Sequence, residues 1–454
     1  MPVSTHAKEY DIKAPQWKQV DDCINDLVKA AKTEYLPKPN ANDNTADNNT
    51  RYNQYVTRAY FMNVVKRTHD GFMGAVYRKN PEIELPPQLE YIEKMASLDG
   101  LTLNQFSKDV LSNTMNAGRG AILVDFPLSD GGTMAQTEGL NAYFVSYKAE
   151  SIINWKAEAG VLTLVVIAET YEKPIDDFQS ETKKQYRVLR LIDGVYVQEI
   201  WRDEKPYSSY TITDFQGRPL TYIPFTFVGT VNNDTKIDPS LLYSISEINI
   251  SHYRNSADLE ENSFIHGQLT LGISSKMSVD DFEKANPQGV AVGSMAGHFL
   301  GEGGSFTSVQ ANPNSLCANL MKDKQQQMAE IGAQLITQSG GTKSIEQVVI
   351  ENSSDIASLS NTARNVSAAI VQALEWAGVF MGVSESETPV FELNQEFYDS
   401  TVTPQEVIAA IQLYDRGRMA EKDLHTLLQK AKYISENRTL EDVNNEASEQ
   451  NPLI

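Results

Sequence analysis

The glycine-rich run GSMAGHFLGEGGSF at residues 293–306 is the first place to look for chemistry, because backbone N–H groups of such loops can cradle phosphate. A phosphate loop also needs a Gly-Lys-Ser/Thr ending and a helix that starts from it. Neither follows here. The stretch AGRG before AILVDFP puts its glycines ahead of the strand, the reverse of the strand, loop, helix order of a dinucleotide site. It reads as a helix end turning into a strand. GSMAG has Ser294 directly after Gly293, so it lacks the spacing of a hydrolase nucleophile elbow. The histidines His6, His69, His252, His266, His298 and His425 show no ligand spacing on one helix face, and Cys23 and Cys317 have no metal spacing. The acidic pairs Asp176 with Asp177 and Asp280 with Asp281 read as solvated faces. No catalytic residue, cofactor site or metal site is therefore assigned.

Composition narrows the classes further. The chain has 454 residues, 41% hydrophobic and 22% charged, which is a globular composition with material for a sizeable core. Its net charge of −21 excludes a basic clamp on nucleic acid as the general mode of action. Two distant cysteines fit reduced thiols rather than a disulfide framework. The longest apolar run, VLTLVVIA at 161–168, is too short to span a bilayer, and the N-terminal residues carry no signal core, so a soluble protein with no membrane partner is expected.

The elements that would position any site follow from periodicity and punctuation. Helical patterns are expected over 16–36, 51–79 and, in two pieces, 88–116, with the Asn-rich 40–49 between the first two as a mobile loop. Strand patterns then run from AILVDFP to IPFTFVG, so residues 1–235 read as an α+β block. Asp238 as N-cap and Pro239 at the first helical position predict a long helix that ends at Gly267, a rod of about 37 Å. A small β and Gly-rich module follows. Asn312 and Pro313 predict the start of a second long helix. After TQSGGTKS, residues 345–382 form a very long helix, about 55 Å if continuous. Its least polar positions, Ile345, Val349, Asn352, Ile356, Leu359, Ala363, Val366, Ile370, Ala373, Ala377 and Phe380, alternate spacings of four and three. Its other face is rich in Ser, Asn and Gln, so one side is expected to pack and the other to face a wide, wet space. A strand FELNQEFY, a helix with the Thr403–Glu406 capping box, a further helix at 419–433 and a mobile polar tail close the chain. The last two helices have the outline of a helix-turn-helix, but Glu421 and Asp423 offset Lys422, Lys430 and Lys432 on the second, which lacks base-reading side chains.

In this order of elements the sequence resembles the portal proteins of tailed bacteriophages. DPSLLYSISEINISHYRNSADLEENSFIHG, IENSSDIASLSNTARNVSAAIVQALEWAGVFMG and FELNQEFYDSTVTPQEVIAAIQLYDRG look like the stem, channel helix and crown-side end of that family. RAYFMNVVKRTHDGFMGAVYRKNPEIELP and AGRGAILVDFP look like its wing. The resemblance implies a portal-type α+β fold: a wing over 1–235, a first stem helix at 236–267, a clip at 268–311 and a second stem helix at 312–336. A tunnel loop at 337–344, a channel-lining helix at 345–382, a return to the wing at 383–402 and a short crown with a polar tail at 403–454 complete it.

The function so implied is non-enzymatic. Twelve copies would form a ring at one capsid vertex, a channel for packaging and ejecting double-stranded DNA. The implied partners are other copies of the chain, DNA held weakly and without sequence preference, the terminase large subunit, head-to-tail adaptor and tail proteins, and the major capsid and scaffolding proteins. The location would be the virion, after assembly in the host bacterial cytoplasm. Tunnel-loop residues would be Gln338, Ser339, Gly340, Gly341, Thr342 and Lys343, with Lys343 as the closest movable positive charge to DNA. Channel-lining candidates are Glu351, Ser354, Asp355, Ser358, Asn361 and Arg364; clip and stem candidates are Lys276, Lys322 and Lys324. A wall poor in cations suits a conduit, since every phosphate held by Lys or Arg adds a binding term that slows passage. The competing expectation is a cytosolic acidic scaffold or enzyme that dimerises through its long helix.

Overall fold

The computed structural model describes residues 2–127, 141–267, 270–287, 289, 299–309, 315–331, 353–384, 386–395, 397, 404–431, 433–435 and 438–450. Its fold is α+β, and the chain divides into two units, Met1–Leu393 and Asn394–Ile454.

The first unit opens with α1 (Lys8–Ile24), α2 (Ala46–Arg58) and α3 (Val64–Val76). α1 starts eight residues before the expected 16 and ends well before 36, with Pro15 inside it. The expected single helix over 51–79 is two. Ala59–Met62 leave the helical conformation so that Asn249 can accept from Val64 N at 3.0 Å and donate to the Met62 carbonyl at 2.8 Å, while Asn63 caps α3. The Asn-rich segment is more ordered than its composition predicts. Thr45 caps α2, and the Asn48 amide donates to the Asp43 carbonyl at 2.6 Å.

The strand β1 (Glu82–Glu84), the short α4 (Glu90–Lys94) and α5 (Leu103–Ala117) come next. A Thr102–Gln105 capping box starts α5, and Gly118 at φ 71° ends it. A Cβ on Gly118 would lie 2.1 Å from the Asp238 carbonyl oxygen, so glycine is required twice over, by conformation and by space. The chain then enters β2 (Arg119–Asp125), buried along its whole length. β2 is the middle strand of a three-stranded antiparallel sheet with β3 (Tyr143–Lys148) and β9 (Phe225–Gly229). Between these, β4 (Ile152–Glu158), β5 (Val161–Pro174), β6 (Ser180–Ile192), β7 (Val195–Arg202) and β8 (Lys205–Thr211) form a five-stranded antiparallel meander. Burial is concentrated in the middle of this sheet, at Val165, Val166 and Ile167 of β5, Val188 and Leu189 of β6 and Tyr196 of β7, while β8 is exposed along almost all of its length.

α6 (Tyr243–Gly267) is the first long helix. It begins later than Asp238 and Pro239 predict, because the Asp238 carboxylate is engaged elsewhere, accepting from Val231 N at 2.7 Å and Asn232 N at 3.0 Å. β10 (Thr270–Ser274) follows, then the short α7 (Val279–Ala285) capped by Ser278, and β11 (Ser305–Val309), which pairs antiparallel with β10. The second long helix is α8 (Leu316–Glu330), with Ser315 at its N-cap; Asn312 and Pro313 lie outside the described residues. α9 (Ser353–Met381) is the longest helix described, 29 residues or about 44 Å. β12 (Val390–Glu392) then pairs antiparallel with β1, more than 300 residues away.

In the second unit α10 (Pro404–Asp415) and α11 (Glu421–Lys430) pack together and bury Val407 and Ala410. Thr403 and the side chain of Glu406 lie outside the description. The expected mobile tail contains α12 (Leu440–Gln450), whose start is fixed by Thr439 and Asp442, each bonding the other's backbone N–H.

Candidate channel helix and stem

From Leu359 onward the apolar stripe expected along the long helix is the face of α9 that packs; Ile345, Val349, Asn352 and the side chain of Ile356 lie outside the description. Leu359, Ala363, Val366, Ile370, Ala373, Ala377 and Phe380 are all buried, against β9, α5, β2 and β12. Three alanines in the stripe, Ala363, Ala373 and Ala377, let the helix lie close to the sheet. The larger side chains contribute about 1.5–3 kcal/mol each by leaving water. Phe380 stacks on Phe126 at 5.7 Å and Trp376 on Tyr222 at 6.0 Å. Ser367 donates to the Ala363 carbonyl at 2.9 Å and accepts from Leu393 N at 3.0 Å, so the helix also holds the strand that follows it.

A second set of contacts fixes the helix along its axis. The loop 229–238 folds on itself, with Asn233 Oδ1 accepting from Gly229 N at 3.2 Å and Asp238 closing the other side. A Cβ on Gly229 would sit 2.2 Å from the Asn232 carbonyl oxygen. The carbonyls so presented are taken by two asparagines one turn apart on α9. Asn361 Nδ2 donates to Thr230 O at 2.9 Å and Val231 O at 3.0 Å, and Asn365 Nδ2 donates to Gly229 O at 2.8 Å. Asn233 Nδ2 returns a bond to Asn365 O at 2.8 Å. Arg119 ties this clasp to the sheet. Its guanidinium lies between Trp155 and Phe227, 4.3 and 4.2 Å from their ring centres, and donates to the Thr235 carbonyl. Burial draws its pKa down to about 10, still charged at neutral pH.

The polar residues of the long helix thus divide. Asn361, expected on an open face, spends its amide on the clasp, and Thr362 and Ser367 are buried with their hydroxyls on their own helix backbone. Ser358, Arg364, Ala368, Glu375 and Val379 form the exposed line. Ser354 and Asp355 are in the helix, but their side chains are outside the description; Glu351 and the whole of Gln338–Lys343 lie outside the described residues.

The stem candidate is the α6–α8 pair. The two helices run antiparallel, because Gly267 and Leu316 flank the same β10–β11 pair while Lys324 meets Ser251 and Asn255 further back. Lys324 donates to the Ser251 carbonyl at 3.2 Å and to Asn255 Oδ1, so this lysine is a packing residue of the helix pair. Burial lowers its pKa, with Arg254 adding to the effect. Next to it His252 is 1% exposed, with one ring nitrogen 3.2 Å from Gln325 Nε2, and burial and the Lys324 charge hold its pKa below the ordinary value. Lys322 and Lys276 are exposed. The C-terminal half of α6 is anchored to the helical block. Arg58 pairs with Glu261 and lies over Phe264, Tyr55 donates to Asp258 at 2.6 Å, and Arg254 donates to the Tyr35 carbonyl at 2.7 Å.

Between the two sheets, Arg187 bridges Asp125 at 3.0 Å and Glu169 at 2.8 Å, and Tyr147 donates to Glu169 at 2.6 Å. Burial opposes the Arg187 charge, but Tyr147, Glu169 and Asp125 outweigh it and hold its pKa above the ordinary value. This cluster joins the two sheets. Among the described residues no group of three or more His, Cys, Asp or Glu could hold a metal ion, and no helix is long and apolar enough to cross a membrane.

The clasp residues Asn233, Asp238 and Asn365 and the anchor Arg119 are not distinguished by any motif. The one sequence signal is the turn-forming density of GTVNNDTKIDP, which marks a loop without saying what it grips.

A family profile described as "Domain of unknown function (DUF4055)" matches residues 241–381, which run from just before α6 to the end of α9. No curated protein matches the sequence significantly. Among solved structures, the chain is similar to one titled "Neck of native GTA particle computed with C12 symmetry", at 12% identity over 83% of this chain and 92% of that one, with a TM-score of 0.41. It is similar to "Neck of empty GTA particle computed with C6 symmetry" at 11% identity, with the same coverage and a TM-score of 0.43. An HK97 family phage portal protein from Corynebacterium diphtheriae is similar at 10% identity, over 76% of this chain and 94% of that one, with a TM-score of 0.33.

Proposed function

We propose that this chain is a portal protein, a ring-forming subunit of a DNA channel at one vertex of a phage capsid. The reading rests on the sequence resemblance, and one structural observation carries it: a long helix gripped on one side by a buried stripe and an asparagine clasp, with a narrow exposed line opposite. α9 would line the channel through that line, α6 and α8 would form the stem, and the β10–β11 pair with α7 the clip. Twelve copies would enclose the passage. An exposed line in which Arg364 is the only described cation, balanced by Glu375, gives passing phosphates little to bind. The clasp would fix the helix against axial load without placing its polar side chains in the channel.

The chain would do no chemistry itself. Movement of DNA would be driven by the terminase large subunit docked at the clip, and head-to-tail adaptor and tail proteins would later take the same end. Capsid and scaffolding proteins would meet the wing. Lys343 would supply a positive charge near DNA, and Lys343→Glu in assembled particles should alter packaging or DNA retention; unchanged behaviour in both would remove that role. The reading as a whole is tested by imaging the assembled protein, where a ring with a central hole is expected and a dimer would overturn it.

A further inference from the structure

A cavity of about 590 Å³ lies in the wing, between the N-terminal segment with α1 and the face of β5 and β6. Tyr10, Tyr147 and Tyr186 contribute to its walls, along with Glu150, Glu169 and the exposed Lys184. Its size is in the range of small-molecule sites, with room for a long side chain and part of the segment that carries it. The two carboxylates differ in kind. Glu169 is fully engaged, accepting from Tyr147 at 2.6 Å, Arg187 at 2.8 Å and Gln185 at 3.1 Å. Glu150 is half-buried, and no side chain among the described residues donates to its carboxylate; Tyr10 donates to its backbone carbonyl instead, at 2.9 Å. Burial, with Asp21 adding to it, pushes the Glu150 pKa up. Its own backbone N–H and the Lys148 charge offset only part of that rise, and a cation brought to a partly desolvated carboxylate in the cavity would recover the rest. Tyrosine ring faces attract the same kind of group.

We propose that this cavity receives a basic side chain, Lys or Arg, from a segment of a partner protein, with the cation set against Glu150 and its aliphatic stem along the tyrosines. Lys184 selects a protein segment over a free polyamine. It has no salt-bridge or hydrogen-bond partner among the described residues, so it is available to a backbone carbonyl or carboxylate of the segment, whereas a second ammonium would meet it as a like charge. The inference does not depend on the portal reading.

The test uses the full-length protein and ligand-observed NMR titration with N-acetyl-lysine methylamide, N-acetyl-arginine methylamide and the neutral isostere N-acetyl-norleucine methylamide. The basic probes should bind about tenfold more tightly than the norleucine probe, with the advantage shrinking as salt is raised. Glu150→Gln, which keeps the shape, should abolish the difference. Equal binding of lysine and norleucine probes to the unmodified protein would overturn the proposal without recourse to a variant. An undiminished preference in Glu150→Gln would also overturn it. Putrescine binding as tightly as the lysine probe would assign the site to a free amine, against the proposal.

Discussion

Replacing both clasp asparagines with alanine is the most informative perturbation of the long helix. Asn361→Ala removes donors from the Thr230 and Val231 carbonyls. Val231 is half exposed and its carbonyl can be rehydrated, while Thr230 is buried at 4%. With about 0.5–1.5 kcal/mol net for each bond, and more where an acceptor stays buried, the single change should cost about 1–2 kcal/mol. Asn365→Ala removes the bond to Gly229 O and adds about 1 kcal/mol. Because both side chains grip one loop, the pair should not be additive. Native-state hydrogen exchange reads the local opening of α9 directly. A double variant should lose about thirtyfold in protection across the residues near 361 and 365, equivalent to about 2 kcal/mol. Ala368→Ser, on the exposed line of the same helix, is the control and should change little. If the double variant matched that control, the contacts would not hold the helix, and its seating would rest on the apolar stripe alone.

Other consequences follow from single residues. Gly118→Ala should destabilise the first unit by several kcal/mol, measured by urea unfolding, since both the positive φ and the 2.1 Å approach to Asp238 forbid a side chain; a shift under about 1 kcal/mol would contradict that account. Arg187→Met should cost about 3–5 kcal/mol, because it leaves Asp125 and Glu169 buried without their cation; the same urea midpoint checks it. His252 has a folded-state pKa below its unfolded value, so its stabilising effect is complete above about pH 6.5 and is lost as pH falls through the unfolded value towards the folded one. His252→Gln should flatten that part of the pH profile, and an unchanged slope would show that another group titrates. Glu150 has the opposite sense: its raised pKa makes the fold lose stability as pH rises from the ordinary carboxylate range through the raised value, and Glu150→Gln should remove that loss from a stability series across mildly acidic pH.

What could be read from the sequence was whatever a local pattern determines. The four-three stripe located the buried face of α9 from Leu359 to Phe380, because burial on a helix is written in its periodicity. The turn at Gly118 and the strand after it were legible for the same reason, since one glycine position serves both. Long-range demands were not legible. Asp238 looks like a helix cap from its neighbours, yet it closes a loop seven residues back; Asn361 looks like an open-face residue, yet a loop 130 residues away claims it. The break between α2 and α3 is set by Asn249, which no reading of 51–79 could include. Side chains with donors and acceptors take whichever partner the tertiary fold presents, and their periodicity does not reveal that partner.

Mass and shape of the assembled protein bear most directly on the proposed function. Electron microscopy with native mass measurement should find a closed ring with a central hole and a mass of about 600 kDa, twelve times the 50.6 kDa chain. A two-chain particle with no hole under any assembly condition would contradict the proposal.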